Sequence, residues 1–425
     1  MNVSRYFVTA AACLLVLSGC GAGPSGSTTT STPISKQSPS SGEKPPSSGP
    51  ILGPGEFTDA RGLPFPVPST QANPILLVDR KTAWGDKLTI TEIPASIDAD
   101  HALVLKAVSE DGGTIAGLVV PRSLSSESEY KLVLMDVATK QITEVERIRS
   151  SLKEPWMMTE VALDGQWLLW RVNSVMQVYN ISTQAHSQIK PSNTRWVETY
   201  VPPQRAIAVD DGVVVWTEAA EEDSEPGRIA TVVKSADLAT GEVSIIGKHG
   251  AYPATSGSTV AWIEPNLAAQ DDDLVPSKVV VRDLKVEGKQ ALEGFGRLTM
   301  IAIHGDAVAY TGWLRFGGKA ELVNLSQTRK QVIGPDQNAD PDRITLNDRL
   351  VAMTSYIGGV QVWDRKLGHL VNLGGHSDHT GAGMINGNAL AWQSATDYQS
   401  WTEYQSSKTL PKNMSIFVMD TSQLP

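Results

Sequence analysis

The sequence predicts an all-β fold, a β-propeller of seven four-stranded blades. Three observations carry that expectation. A turn-and-strand motif recurs seven times, a second strand motif alternates with it, and no segment longer than about ten residues has helical periodicity. The first motif is clearest in LDGQWLLW, Leu163 to Trp170: a turn of Asp, Gly, Asn or Ser, then an apolar run closing on an aromatic. It returns at Glu110–Gly117, Asp210–Trp216, Ser256–Trp262, His304–Tyr310, Asn347–Met353 and Asn386–Trp392, and only the first of these ends on glycine. Each reads as a tight hairpin turn opening a strand. A side chain that recurs once per unit at a strand end belongs to packing between neighbouring units, so Trp170 is expected to be buried.

The second motif lies downstream of each first one. It is an alternating strand that ends on Asp136, Asn180, Asp237, Asp283, Asn324, Asp364 or Asp420, usually followed by a polar turn and another short apolar strand. These markers stand 40 to 57 residues apart, the length of a four-stranded unit with variable loops. Ser109 to Ala116, followed by Tyr130 to Asp136, resembles the repeat of TolB-type propellers, akin to WD-repeat domains, and Ser415 to Asp420 echoes its ending. The resemblance implies a fold rather than an activity. The last unit stops at Pro425 without a fourth strand, and KLTITEI (Lys87–Ile93) is a strand without a unit. It is expected to complete the last blade and close the ring. ILLVD (Ile75–Asp79) also reads like a third strand, which leaves eight blades, or six with an accessory hairpin, as alternatives.

The N-terminus predicts a location. Met1–Arg5 is a short charged region, and Val8–Leu17 is apolar but too short to span a bilayer. Leu17-Ser18-Gly19-Cys20 resembles the bacterial lipobox, which implies that residues 1–19 are a signal peptide and that Cys20 is lipidated. The other cysteine, Cys13, lies in the segment to be removed, so no disulfide partner remains. Residues 20–56, nearly all Ser, Thr, Pro and Gly, cannot bury enough apolar surface to offset chain entropy. They form an expected tether with an r.m.s. reach of about 30–35 Å. Residues 57–425 form the expected propeller domain. This organisation predicts an extracytoplasmic monomer held to the membrane by lipid, on a Gram-positive surface rather than a Gram-negative outer membrane. The net charge of -10 excludes nucleic acid as partner, because phosphate binding needs a basic footprint.

Candidate site residues sit in loops. Glu218, Glu221, Glu222, Asp223 and Glu225 fall in one loop between second and third strands, and Asp271, Asp272 and Asp273 in the next. Solvated loops are the economical reading, and a cation or basic partner the functional one. His376, Asp378 and His379 are candidate metal ligands in the connection into the last unit, with His249 in an equivalent connection. Trp313, Arg315, Phe316, Tyr398, Trp401 and Tyr404 are candidate contacts for a protein, peptide or glycan ligand. No nucleophile elbow, zinc-protease helix or phosphate-cradling loop is present, and the sequence requires no cofactor. The expected role is a membrane-anchored binding or scaffolding module, with a propeller enzyme acting on envelope or extracellular glycans, a lyase or hydrolase, as the alternative.

Overall fold

The computed structural model describes residues 77–425 apart from 124–127, 151–159, 173–174, 191–206, 221–230, 265–276, 287, 294–296, 314–318, 327–328, 334–340, 356–358, 374–382, 396–409 and 411–412. They form seven sheets, in which the successive strands of each blade follow one another as an antiparallel meander and two sheets take a further strand from the N-terminal segment. The blades lie within residues 101–150, 161–189, 207–248, 251–293, 297–332, 341–372 and 384–420. Their first strands contact one another in chain order, and Met384–Asn386 of blade 7 meets His101–Val108 of blade 1, which closes the ring. Among the described residues no helix is long and apolar enough to cross a membrane.

Closure follows the expected route. Strand β1 (Leu77–Asp79) leads into a short helix, α1 (Arg80–Trp84), and then into strand β2 (Ile90–Pro94). β2 pairs antiparallel with Met414–Asp420, Ile93 opposite Ile416, and is the fourth strand of blade 7. β1 begins no additional blade. It pairs in parallel with His369–Asn372 as a fifth strand outside blade 6, so the count is seven. Trp84, at the end of α1, is buried and donates from Nε1 to Asp364 Oδ2 at 2.9 Å. Arg349 Nη2 reaches the same oxygen at 3.1 Å, which compensates the fully buried Asp364 carboxylate.

The recurring Asp or Asn has a local physical cause. Each marker is the last residue of a third strand. Its side chain accepts hydrogen bonds from the turn that follows, as Asp136 does from Thr139 N at 2.7 Å and Asp237 from Thr240 N at 2.8 Å. Asn180 and Asp420 do the same for Thr183 N and Ser422 N, both at 2.9 Å. Short polar side chains stabilise such turns by standing in for backbone acceptors.

The large side chain that closes each motif, an aromatic or Met353, lies within the second strand and packs against the preceding blade. Trp170 shares a core with blade 1, Trp216 with blade 2, Trp262 with blade 3 and Trp392 with blade 6. Tyr310 and Met353 do so with blades 4 and 5. Gly117 is the exception, and it is a packing requirement: a Cβ there would stand 2.7 Å from Leu103 Cδ1 and 2.8 Å from the Val104 carbonyl oxygen. Leu103 of the adjacent strand fills the space that an aromatic takes elsewhere. A similar close approach seats Trp262, whose ring lies against Gly247 of blade 3 and Gly250 of the connection that follows it. A Cβ on Gly250 would meet Trp262 Cδ1 at 2.5 Å and Val233 Cγ2 at 2.6 Å. Gly250→Ala is therefore expected to cost about 1–3 kcal/mol as an overpacked contact, read as a lowered midpoint in chemical unfolding.

Glu218 departs from its expected place. It lies in the second strand of blade 3 (Val213–Ala219), not in the following acidic loop, and is buried. Its Oε1 accepts from Trp216 Nε1 at 2.7 Å and its Oε2 from Lys234 Nζ at 2.6 Å. The strand simply continues further than its apolar letters, because a lysine on the next strand neutralises the carboxylate. Glu221, Glu222, Asp223, Glu225 and Asp271 to Asp273 lie outside the described residues.

Candidate functional site

The first strand of every blade is the end strand of its sheet, so one backbone edge is unpaired within the sheet. These strands enclose a cavity of ≈ 350 Å³ whose wall includes all seven blades. Aligning them on the residue before the turn orders that wall into levels. Two residues before that point stand Ala107, Ala162, Ala208, Ala254 and Ala302, with Thr345 and Met384 in blades 6 and 7. These small side chains line the wall, and Ala107, Ala254 and Ala302 also belong to the cores between blades.

At the turn end the residues are polar and clasp the next blade. Asp164 Oδ2 accepts from Gly212 N at 3.4 Å, Asp210 Oδ2 from Gly257 N, and Ser256 Oγ from Gly305 N at 3.0 Å. Asn347 Nδ2 donates to the Gly387 carbonyl at 2.9 Å. Asn386 Nδ2 bonds the carbonyls of Val108 at 2.9 Å and Leu163 at 3.0 Å, reaching past blade 1 to blade 2. The turn glycines allow this: Gly165, Gly212, Gly257, Gly305 and Gly387 all have positive φ, a conformation that a Cβ would disfavour.

Three carboxylates gather at this mouth. One oxygen each from Glu110, Asp164 and Asp210 lie within 4.8 Å of one another. Burial and a hydrogen bond with Glu110 push the Asp164 carboxyl up to about 6. Burial also raises Asp210, opposed by the Gly257 amide bond and reinforced by the negative charge of Asp164. Oxygen-only ligands of this kind suit a hard divalent cation, while the turn-clasping role already accounts for two of the three. Because the folded state holds the Asp164 proton more tightly than the unfolded chain does, stability falls as pH rises from about 4 through about 6. Asp164→Asn keeps an acceptor for Gly212 and removes that penalty. It should raise stability by about 1–2 kcal/mol at pH 8, after allowance for solvent screening, and by nothing at pH 4, as thermal melts at the two pH values would show.

Deeper in the channel stand Lys106, the extra residue at a register shift of its strand, and Arg343, which follows a register shift in its own. Arg343 reaches past blade 7 to blade 1, where its Nη1 donates to the Lys106 carbonyl at 3.4 Å. Burial, then the charge of Arg343, lower the Lys106 amine to about 7, against a smaller opposing effect of Glu160. Glu160, just before the first strand of blade 2, is buried and lies 3.7 Å from Arg171 Nε.

None of the loop residues singled out in the sequence can be placed beside this channel. Arg315, Phe316, Tyr398, Trp401, Tyr404, His376, Asp378 and His379 lie outside the described residues, as does Cys20. For Trp313 only the backbone is described, as the end of the second strand of blade 5 (Ala307–Trp313). His249 is exposed, in a left-handed turn with φ of 58°. The sequence reading passed over Lys106, Glu110, Glu160, Asp164, Asp210 and Arg343. For Asp164 and Asp210 the signal was the polar residue before each turn with an alanine two positions ahead of it; Lys106, Glu110, Glu160 and Arg343 carry no repeated signal.

These features define the class: the chain is a seven-bladed β-propeller. No protein-family model and no curated protein sequence matches it. Among solved structures it is similar to an oligogalacturonate lyase in complex with manganese, at 12% identity and a TM-score of 0.47, covering 80% of this chain and 96% of that one. It is similar to the acylaminoacyl peptidase of Pyrococcus horikoshii at 11% identity and a TM-score of 0.47, covering 72% of this chain but only 51% of the peptidase. The β-propeller domain of the Trilobed protease from Pyrococcus furiosus, described as having an open velcro topology, matches at 12% identity and a TM-score of 0.44, covering 65% of this chain and 85% of that one. Likenesses at this level concern the fold alone.

Proposed function

We propose that the protein is a membrane-tethered extracytoplasmic binding module whose ligand seat is the axial channel. The supporting observation is the cavity of ≈ 350 Å³, walled in part by alanines and lined by charged groups at two levels. That volume and that mixture of apolar wall with a few placed polar groups are typical of small-ligand sites. A lipid on Cys20 and the tether over residues 20–56 would hold the domain outside the membrane as a monomer. Trp313, Tyr398 and the other aromatics singled out in the sequence would add contacts for a peptide, protein or glycan. Ala208→Phe blocks the channel without touching a charged group. Mass spectrometry of small molecules that copurify from the native envelope should find a species present with the native protein and lost with this variant. Identical profiles from two equally folded proteins would refute the channel as the seat.

A second reading, an enzyme acting on envelope glycans, is favoured by one observation. Asp164 is held partly protonated near neutral pH beside Glu110 and Asp210, and glycosidic chemistry needs paired carboxyls in different protonation states. Loss of glycan cleavage in Asp164→Asn, at undiminished thermal stability, would support it.

A further inference from the structure

We propose that Lys106 captures a small aldehyde or ketone in the channel and holds it as an imine on Nζ. This rests on the channel being the ligand seat and names the chemistry that keeps the ligand there. Lys106 is the extra residue where the pairing of the first strand of blade 1 shifts between Leu105 and Ala107, and it lines the cavity. Among the described residues its amine makes neither a hydrogen bond nor an ion pair. Lys234, the lysine buried in blade 3, is by contrast met by a Glu218 oxygen at 2.6 Å. A lysine with a structural task is thus given its carboxylate, whereas Lys106 has none within ion-pair distance.

The surroundings favour the neutral, nucleophilic form of that amine. The charges that act on it are Arg343 of blade 6 and Glu160 ahead of blade 2, and both of these have other partners as well. Glu110, Asp210 and His304 line the same cavity at its turn end. Burial, then the charge of Arg343, bring the Lys106 amine to about 7, and Glu160 opposes them only in part. An anionic ligand would need the ammonium form, which burial disfavours, while a carbonyl carbon needs the free electron pair. A desolvated lysine beside another cation is the usual setting for such capture. The Nζ pair bonds to the carbonyl carbon, and one amine proton passes to the carbonyl oxygen. The resulting hydroxyl leaves with the second amine proton as water, and the C=N bond remains. No electrons are gained or lost, so no oxidant or reductant is required. A cavity of ≈ 350 Å³ lies at the small end of ligand sites, which limits the carbonyl compound to a small one.

Propanal with cyanoborohydride, followed by peptide mass spectrometry, reads the reactivity of each lysine in the native protein. At pH 6.5 Lys106 should be alkylated at least about tenfold faster than the exposed Lys140 and Lys248. That advantage should shrink towards pH 9, where ordinary amines also begin to lose their proton. Alkylation of Lys106 no faster than that of Lys140 and Lys248 at pH 6.5 overturns the proposal. The natural ligand is trapped by treating the native envelope with borohydride before purification. The species that Ala208→Phe loses should then stay on the peptide containing Lys106 after denaturation, and should come free without borohydride. A species that still dissociates after reduction refutes imine capture and leaves the channel as the seat. Fast alkylation of Lys106, with identical copurified profiles from the native protein and Ala208→Phe, refutes the channel as the seat and the proposal with it.

Discussion

A chain that begins at Ala95, and so lacks β2, is expected to lose cooperative folding. β2 supplies the fourth strand of blade 7 and places Ile93, 1% exposed, against Ile416, 0% exposed. Losing that side chain, the partial cover of Ile90 and a five-residue ladder costs about 5–10 kcal/mol, summing roughly 1.5–3 kcal/mol per buried aliphatic and about 1 kcal/mol per hydrogen bond. The whole stability of a domain is about 5–15 kcal/mol. The loss is not confined to one blade, because each blade shares its core with a neighbour. The measurement is a thermal melt followed by circular dichroism, with Ile93→Asp as the full-length counterpart. A sharp transition at the native temperature in the shortened chain would show that the ring does not need its clasp.

Trp170→Ala should have the second-largest effect, about 3–5 kcal/mol. The side chain is 0% exposed and belongs to the core that joins blades 1, 2 and 7. Its removal therefore opens a cavity between blades, where two rigid sheets cannot collapse to fill it. The indole nitrogen refines the test. Trp216 and Trp262 donate to Glu218 and Glu264, each two residues further along the strand. Trp170 is followed by Arg171 and Val172, and its buried nitrogen has no hydrogen-bond partner among the described residues. Trp170→Phe should then cost less than Trp216→Phe, which leaves a buried Glu218 oxygen short of a donor. Chemical unfolding of the two variants side by side reads that difference.

The fold was legible because the features that specify it are local and repeat. Asp136 and its six counterparts each cap the turn they precede, and six of the seven second strands carry at one repeated position the side chain that packs against the previous blade. The fate of Ile75–Asp79 was not legible. Whether an apolar run starts a new blade or flanks an old one is decided by its partner, and Leu77 pairs with Leu370, nearly 300 residues away. The candidate site was hidden for the same reason. Lys106 and Arg343 are ordinary strand residues in the sequence, and they meet only across an axis that exists once the ring has closed. Loop composition drew notice to His376 and Trp401, since exposed-looking chemistry is easy to read, while strand residues that line a channel resemble core. Glu218 shows the converse, a carboxylate in an acid-rich stretch that is internal because Lys234 is there to meet it.

The N-terminal segment binds blade 6 before it becomes part of blade 7, and this has a mechanical consequence. For a domain held by its N-terminus, tension enters at Leu77. It meets the parallel pairing of β1 on blade 6 first, and next the Trp84 indole held by Asp364. Only when both have yielded does load reach Ile90, the first residue of the strand that shuts blade 7. The outer strand and its tryptophan thus act as a sacrificial fuse in series with the clasp, so that pulling on the N-terminal segment frays blade 6 while the circle stays shut.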